Sequence, residues 1–171
     1  MTVIIDCLEK DIEDFLSDNN NLRDYLGLKF LSCQYQINKF FIDILAYHKF
    51  EKCFYIIELK KTNLNANALV QALRYQRLLR IKYKNKHKFK ILLIGSSLCE
   101  ELFYCIHSYS LIEENEDICY TLYHFDLKDG ISFNYINREQ KNIEKELEEE
   151  LRDELNIEQE FRERLLCQKD L

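Results

Sequence analysis

The 171-residue sequence predicts an α/β fold in which a mixed central sheet is flanked by helices. Two observations carry that expectation. Apolar residues recur at helical spacing in three separated stretches, and short extended runs rich in Ile, Phe, Tyr and Leu lie between them. The resulting order is α-β-β-β-α-β-α-β-β, with no internal repeat.

The first helix is expected over residues 7 to 26, with Leu8, Ile12, Phe15 and Leu16 on one side and Asp6 at its start. Two extended runs follow, Lys29–Ile37 and Lys39–Tyr47, separated by little more than Asn38, and a third, Cys53–Leu59, is almost wholly apolar. Thr62 or Asn63 caps a long helix from Leu64 to about Tyr83, with Leu69, Ala72, Leu73 and Leu79 on one side. Phe89–Ile94, ended by Gly95, reads as a strand buried on both faces. A helix over 97–107 and the strands Ile118–Leu127 and Ile131–Ile136 complete the body, with Lys128-Asp129-Gly130 as a hairpin turn.

Composition narrows the class. With 47% hydrophobic and 32% charged residues the chain is no disordered acidic tail, and no run approaches the roughly 18 apolar residues of a membrane span. Its start, MTVIIDCLEKDIEDF, meets acids where a secretory signal needs bases and then an apolar stretch. Seven cysteines at scattered spacings, with no C-x-x-C pair, fit reduced thiols in a cytoplasmic protein better than a disulfide or zinc framework.

Charge divides the chain into a body, 1–137, and an acidic tail, 138–171. The tail holds twelve Asp or Glu against seven Lys or Arg, so most of the net charge of -6 belongs to it. It reads as one acidic helix with an interrupted apolar stripe from Ile143 to Leu165, either solvated or closing a homodimer or protein-partner contact. Within the body, Arg74 to Lys90 carries eight Lys or Arg and no acid. With Tyr75, Tyr83 and Phe89 interleaved, that run reads as a phosphate-backbone track, in which Arg74, Arg77 and Lys82 are the named contacts. The plainer reading is a solvated helix end.

Two carboxylates stand where strands should be apolar: Asp43 in FFIDILAY and Glu58 in FYIIELKK. An isolated carboxylate in such a run is costly to desolvate. The midpoint between them falls in the polar break HKFEKC, between Phe50 and Glu51. A hairpin centred there sets Asp43 opposite Glu58, with Cβ atoms roughly 5 Å apart, and Phe41 opposite Lys60. Alternation puts Lys60 on the face of Glu58 and Lys61 on the other. Facing carboxylates repel unless a cation lies between them, and an oxygen-rich pair suits Mg²⁺ or Mn²⁺.

Asp43 followed by Glu58-Leu59-Lys60 resembles the signature of the PD-(D/E)XK nuclease superfamily, and Gln71-x-x-x-Tyr75 in the next helix looks like the accessory motif of several of its branches. The surrounding segments resemble the catalytic domain of NucS-type endonucleases and the C-terminal nuclease domain of YhcG-like proteins. The resemblance spans residues 8–95 and implies a restriction-endonuclease-like αβββαβ core, to which this chain would add the long acidic C-terminal helix. It implies Asp43, Glu58, the Leu59 carbonyl and the helical Glu9 around the ion, Lys60 at the attacking water or scissile phosphate, and Gln71 and Tyr75 as positioning groups. Ile42 stands where the superfamily name has Pro. Glu9 has a second reading, since Asp6-x-x-Glu9 is also a capping box, and Glu13 is the alternative acid one turn on. The expected activity is Mg²⁺- or Mn²⁺-dependent cleavage of DNA, with RNA left open. The alternative is a nuclease-fold binding or interaction module without turnover.

Overall fold

A computed structural model describes residues 9–113, 117–126 and 129–134. The Asp6 cap, the acidic helix of 138–171 and the dimer or partner contact expected of it lie outside the described residues.

Two helices, α1 (Glu9–Ser17) and α2 (Asn19–Leu26), take the place of the single one expected. Asp18 divides them: its carboxylate accepts from the Asn20 and Asn21 backbone N–H groups at 2.8 and 3.2 Å, which starts a new helix. Asn21 in turn donates to the Phe15 carbonyl at 3.0 Å and satisfies the end of α1. Three strands follow, β1 (Lys29–Ile37), β2 (Phe40–His48) and β3 (Cys53–Leu59), and then a two-residue strand β4 (Asn63–Leu64). The remaining order is α3 (Ala66–Lys82), β5 (Phe89–Gly95), the two-residue β6 (Ser97–Leu98), α4 (Glu100–Glu113), β7 (Ile118–Asp126) and β8 (Gly130–Phe133).

Helix α3 starts two residues later than expected and is capped by Asn65, whose side chain accepts from Asn67 and Ala68 N–H at 3.0 and 3.3 Å. Thr62 and Asn63 cannot serve because the chain there stays extended, with Asn63 and Leu64 in parallel register with Ser97 and Leu98. For the same reason α4 starts at Glu100 rather than Ser97.

One mixed sheet runs in the order β1-β2-β3-β5-β7-β8, with β3, β5 and β7 parallel and the outer pairings antiparallel. Every residue of β5 is buried, as its uninterrupted apolar run requires. On one face Ile12, Leu16, Leu22 and Leu26 of α1 and α2 cover Ile57, Leu59, Leu92 and Ile94. On the other, Ala68 and Ala72 of α3 and Leu102 and Ile106 of α4 cover Ile91 and Leu93.

The hairpin register is the expected one: Ile44 pairs with Ile57 and His48 with Cys53. The ladder ends at Ile44–Ile57, however. Beyond it β2 stays with β1, so that Phe41 pairs with Gln36 and is half exposed instead of facing Lys60. Strand β3 stays with β5, through Glu58–Leu93 and Leu59–Ile94. The two strands therefore part at the level of Asp43 and Glu58.

Gly95 closes β5 against the chain leaving β3. A Cβ on it would stand 2.6 Å from Leu64 Cγ and 2.9 Å from the Thr62 carbonyl oxygen. Gly95→Ala is therefore expected to cost about 1–3 kcal/mol in chemical denaturation, because the Thr62 backbone cannot move aside cheaply. An unchanged denaturation midpoint would contradict this packing.

Candidate active site

Where β2 and β3 part, the Leu59 N–H leaves the ladder and donates to Asp43 Oδ2 at 2.8 Å. The Asp43 carboxylate thus replaces a strand partner and is half-buried. The next N–H, that of Lys60, turns the other way to the Ile94 carbonyl at 2.8 Å. Glu58 is fully buried, and one of its oxygens, Oε1, accepts from Lys60 Nζ at 2.6 Å. Its other oxygen, Oε2, is buried with no hydrogen-bond partner among the described residues. A buried carboxylate oxygen left unmatched is among the more expensive features a fold can carry.

The electrostatics follow from that burial. Desolvation pushes the Glu58 carboxyl up from 4.5 to about 7, and the Asp43 charge pushes the same way against the Lys60 ammonium. Asp43 is also raised, by burial first, with the Leu59 N–H and the Lys60 charge opposing. Burial works against the Lys60 ammonium, but its hydrogen bond to Glu58 and the surrounding acids outweigh that and raise it. The Asp43 charge thus acts on both Glu58 and Lys60, and Lys60 acts back on both acids.

Glu9 reaches this group from α1, with Oε2 accepting from the Lys61 N–H at 3.1 Å. Its charge acts on Asp43, Glu58 and Lys60. Glu13 is nearly buried and otherwise engaged, with Lys10 at 3.1 Å and Gln34 at 2.5 Å, and its charge appears at Asp43 but behind that of Glu9. From α3, Gln71 Nε2 donates to the Tyr75 hydroxyl at 2.7 Å. Tyr75 is buried, which raises its hydroxyl, and the charges of Glu58 and Asp43 add to that shift. The i, i+4 spacing that paired Gln71 with Tyr75 in the sequence therefore yields a direct hydrogen bond at a hydroxyl that the acids' charges reach.

The expected basic track is only partly available. Arg80 and Lys88 are paired with Asp117 at 3.2 and 3.3 Å, and buried Lys90 with Glu51 at 2.9 Å. Arg74 lies over the Phe40 ring at 5.0 Å, and Lys82 over Tyr35 at 5.0 Å while donating to its hydroxyl at 2.8 Å. Arg77 lies one step round the helix, lining an open cavity of about 630 Å³ with Arg80 and Asn85. One contact has no signal in the sequence. The Tyr123 hydroxyl of β7 donates to the Lys61 carbonyl, so Glu9 and Tyr123 hold the two peptide groups that flank the Lys61 Cα. In ICYTLYHFD nothing separates Tyr123 from an ordinary core tyrosine.

Among the described residues no three His, Cys, Asp or Glu side chains form a ready-made metal cage. The partial donor set still fits a hard cation. The Asp43 charge acts on Glu58 across the gap, the second Glu58 oxygen has no hydrogen-bond partner among the described residues, and all the donors are oxygen.

No protein-family model matches the chain, and no curated protein does. Solved structures do. The fold is similar to that of a repair endonuclease from Pyrococcus abyssi, with a TM-score of 0.53, 18% identity, and coverage of 70% of this chain and 48% of that one. It is also similar to the protein of an EndoMS–double-stranded DNA complex, with a TM-score of 0.50, 17% identity, and coverage of 63% and 44%. The chain spans about half the length of these structures. It has the mixed α/β, restriction-endonuclease-like fold expected from the sequence.

A group raised in the folded state carries a sign that can be tested. Between about pH 4.5 and 7 the unfolded chain loses the Glu58 proton while the folded protein keeps it, so stability falls through that window and is level above it. Glu58→Gln is expected to remove this fall. In EDTA above pH 7 the variant should be more stable than the wild type by about 1–3 kcal/mol in urea denaturation. Parallel stability profiles for the two proteins would contradict the assigned burial.

Proposed function

We propose that this chain is a divalent-metal-dependent nuclease that hydrolyses phosphodiester bonds in DNA. The observation that carries the reading is the buried Glu58 carboxylate, with one oxygen on Lys60 and the other unmatched, beside Asp43. A structural ion pair would satisfy both oxygens, whereas an incomplete site leaves one for a ligand. Asp43 and Glu58 would hold Mg²⁺ or Mn²⁺, with the Leu59 carbonyl and Glu9 completing the set. A bound ion of this kind lowers the pKa of water and neutralises charge on phosphoryl oxygens.

The chain's own groups supply the rest. Lys60, already desolvated and held at 2.6 Å from Glu58, can turn its remaining N–H bonds toward the scissile phosphate or the attacking water. Glu9 and Tyr123 keep the backbone on either side of Lys61, and hence that beside Lys60, from shifting. Tyr75 and Gln71 present a hydroxyl and an amide near the carboxylates, suited to orienting a phosphate oxygen. Arg74, Arg77 and Lys82 would contact the flanking phosphates, and these sequence-independent contacts weaken as salt rises. The choice of DNA is supported by the similar EndoMS structure, a complex with double-stranded DNA.

Supercoiled, linear and single-stranded DNA incubated with Mg²⁺, Mn²⁺ or EDTA tests the reading. Cleavage is expected with either ion and none with EDTA. Asp43→Ala and Lys60→Ala should each lower the rate by at least about 10²-fold while circular dichroism and urea unfolding show a folded protein. Gel shifts without cleavage by the wild type would instead favour a binding module, and full activity in either variant would remove the assignment. Arg74→Ala and Lys82→Ala should each weaken DNA binding and reduce its salt dependence by about one ion.

A further inference from the structure

At the far end of the β2–β3 hairpin, the turn HKFEKC presents Phe50, 88% exposed, between Lys49 and Lys52. The one acid of the turn faces inward. Glu51 Oε2 accepts from Lys90 Nζ at 2.9 Å and from the Tyr55 hydroxyl at 3.2 Å. Buried Lys90 thus neutralises the turn's only carboxylate, and the outward surface of the tip is left cationic and aromatic.

Beside the tip lies an open cavity of about 580 Å³, within the roughly 300–1,000 Å³ of small-molecule sites. Phe50 and Tyr47 line it together with Arg23, Lys29 and Lys49, and no acid does. Arg23 is shared with Asp24 at 2.9 Å, but Lys29 and Lys49 have no carboxylate partner among the described residues. A flat apolar ring next to unpaired ammonium groups around a recess matches a planar base joined to a phosphate. A lone aromatic among lysines also suits an anionic membrane surface, but a membrane would need no recess.

We propose that this tip and its cavity form a second nucleic-acid contact, in which Phe50 stacks on one base of a strand and Lys29 and Lys49 hold the adjoining phosphates. The contact lies about 15–20 Å along β2 from the carboxylate group, several nucleotides away, so it anchors the polymer and takes no part in its hydrolysis. It rests on the nuclease reading only for the kind of polymer bound.

The chain has no tryptophan, so Phe50→Trp places a single reporter at an exposed position. In EDTA, the full-length variant is titrated with a 12-nucleotide single-stranded DNA, with a 12-base-pair duplex, with dAMP, and with vesicles of phosphatidylcholine and phosphatidylserine. Saturable quenching by the single-stranded DNA is expected, weakened about tenfold by adding Lys29→Glu or Lys49→Glu, and quenching by the duplex alone would overturn the proposal. Anisotropy of a labelled oligonucleotide on otherwise wild-type protein should show the same loss in these lysine variants, and about tenfold weaker binding for Phe50→Ala. Quenching by dAMP alone, by vesicles alone, or by nothing would overturn the proposal, as would lysine variants that bind DNA like the wild type. Asp43→Ala should leave this binding intact, whereas Lys29→Glu should raise the DNA concentration needed for half-maximal cleavage about tenfold without lowering the rate at saturating DNA, so failure here is distinct from failure of the nuclease assignment.

Discussion

The Asp43 carboxylate bonded to the Leu59 N–H marks the point on which the rest of the site depends. There an antiparallel ladder stops, because β3 is held by β5 and β2 by β1. A sheet that parts must satisfy the backbone groups it uncovers or lose their hydrogen bonds. Using a carboxylate for that purpose fixes Asp43 beside Glu58 and turns a topological defect into a place where two acids share a small space.

Burial does the remaining work. Glu58 on the surface would ionise near its usual value and bind a divalent ion weakly, in competition with water. Enclosed under α3 it resists ionisation, and its unmatched oxygen gains most from a cation. Lys60 offsets only part of that cost, since it reaches one oxygen and not the other. The carboxyl group is therefore buried at the expense of the fold's own stability.

Much of this was legible in the sequence, and the reasons differ from element to element. The β2–β3 register followed from two carboxylates equidistant from a polar break, a local pattern that the ladder from Ile44–Ile57 to His48–Cys53 repeats. The parting of the strands was not legible, because it depends on the parallel pairing of Leu59 with Ile94, far along the chain. Asn65 was hidden among several capping residue types, and the pairing of Asn63–Leu64 with Ser97–Leu98 decided between them. The basic run looked uniform until folding brought Asp117 and Glu51 to three of its eight cations. Tyr123 acts on the site through the Lys61 backbone, which no spacing in the sequence reports.

The proposed function rests on Glu58 keeping a proton near neutrality that a divalent ion would displace. Calorimetric titration of the metal-free protein with Mn²⁺, in buffers of differing ionisation heat, measures the protons released on binding. Near pH 6 most of one proton should be released, almost none above pH 8, and Glu58→Gln should abolish the release at both. Binding without a pH-dependent release, or no binding at all, would contradict the account.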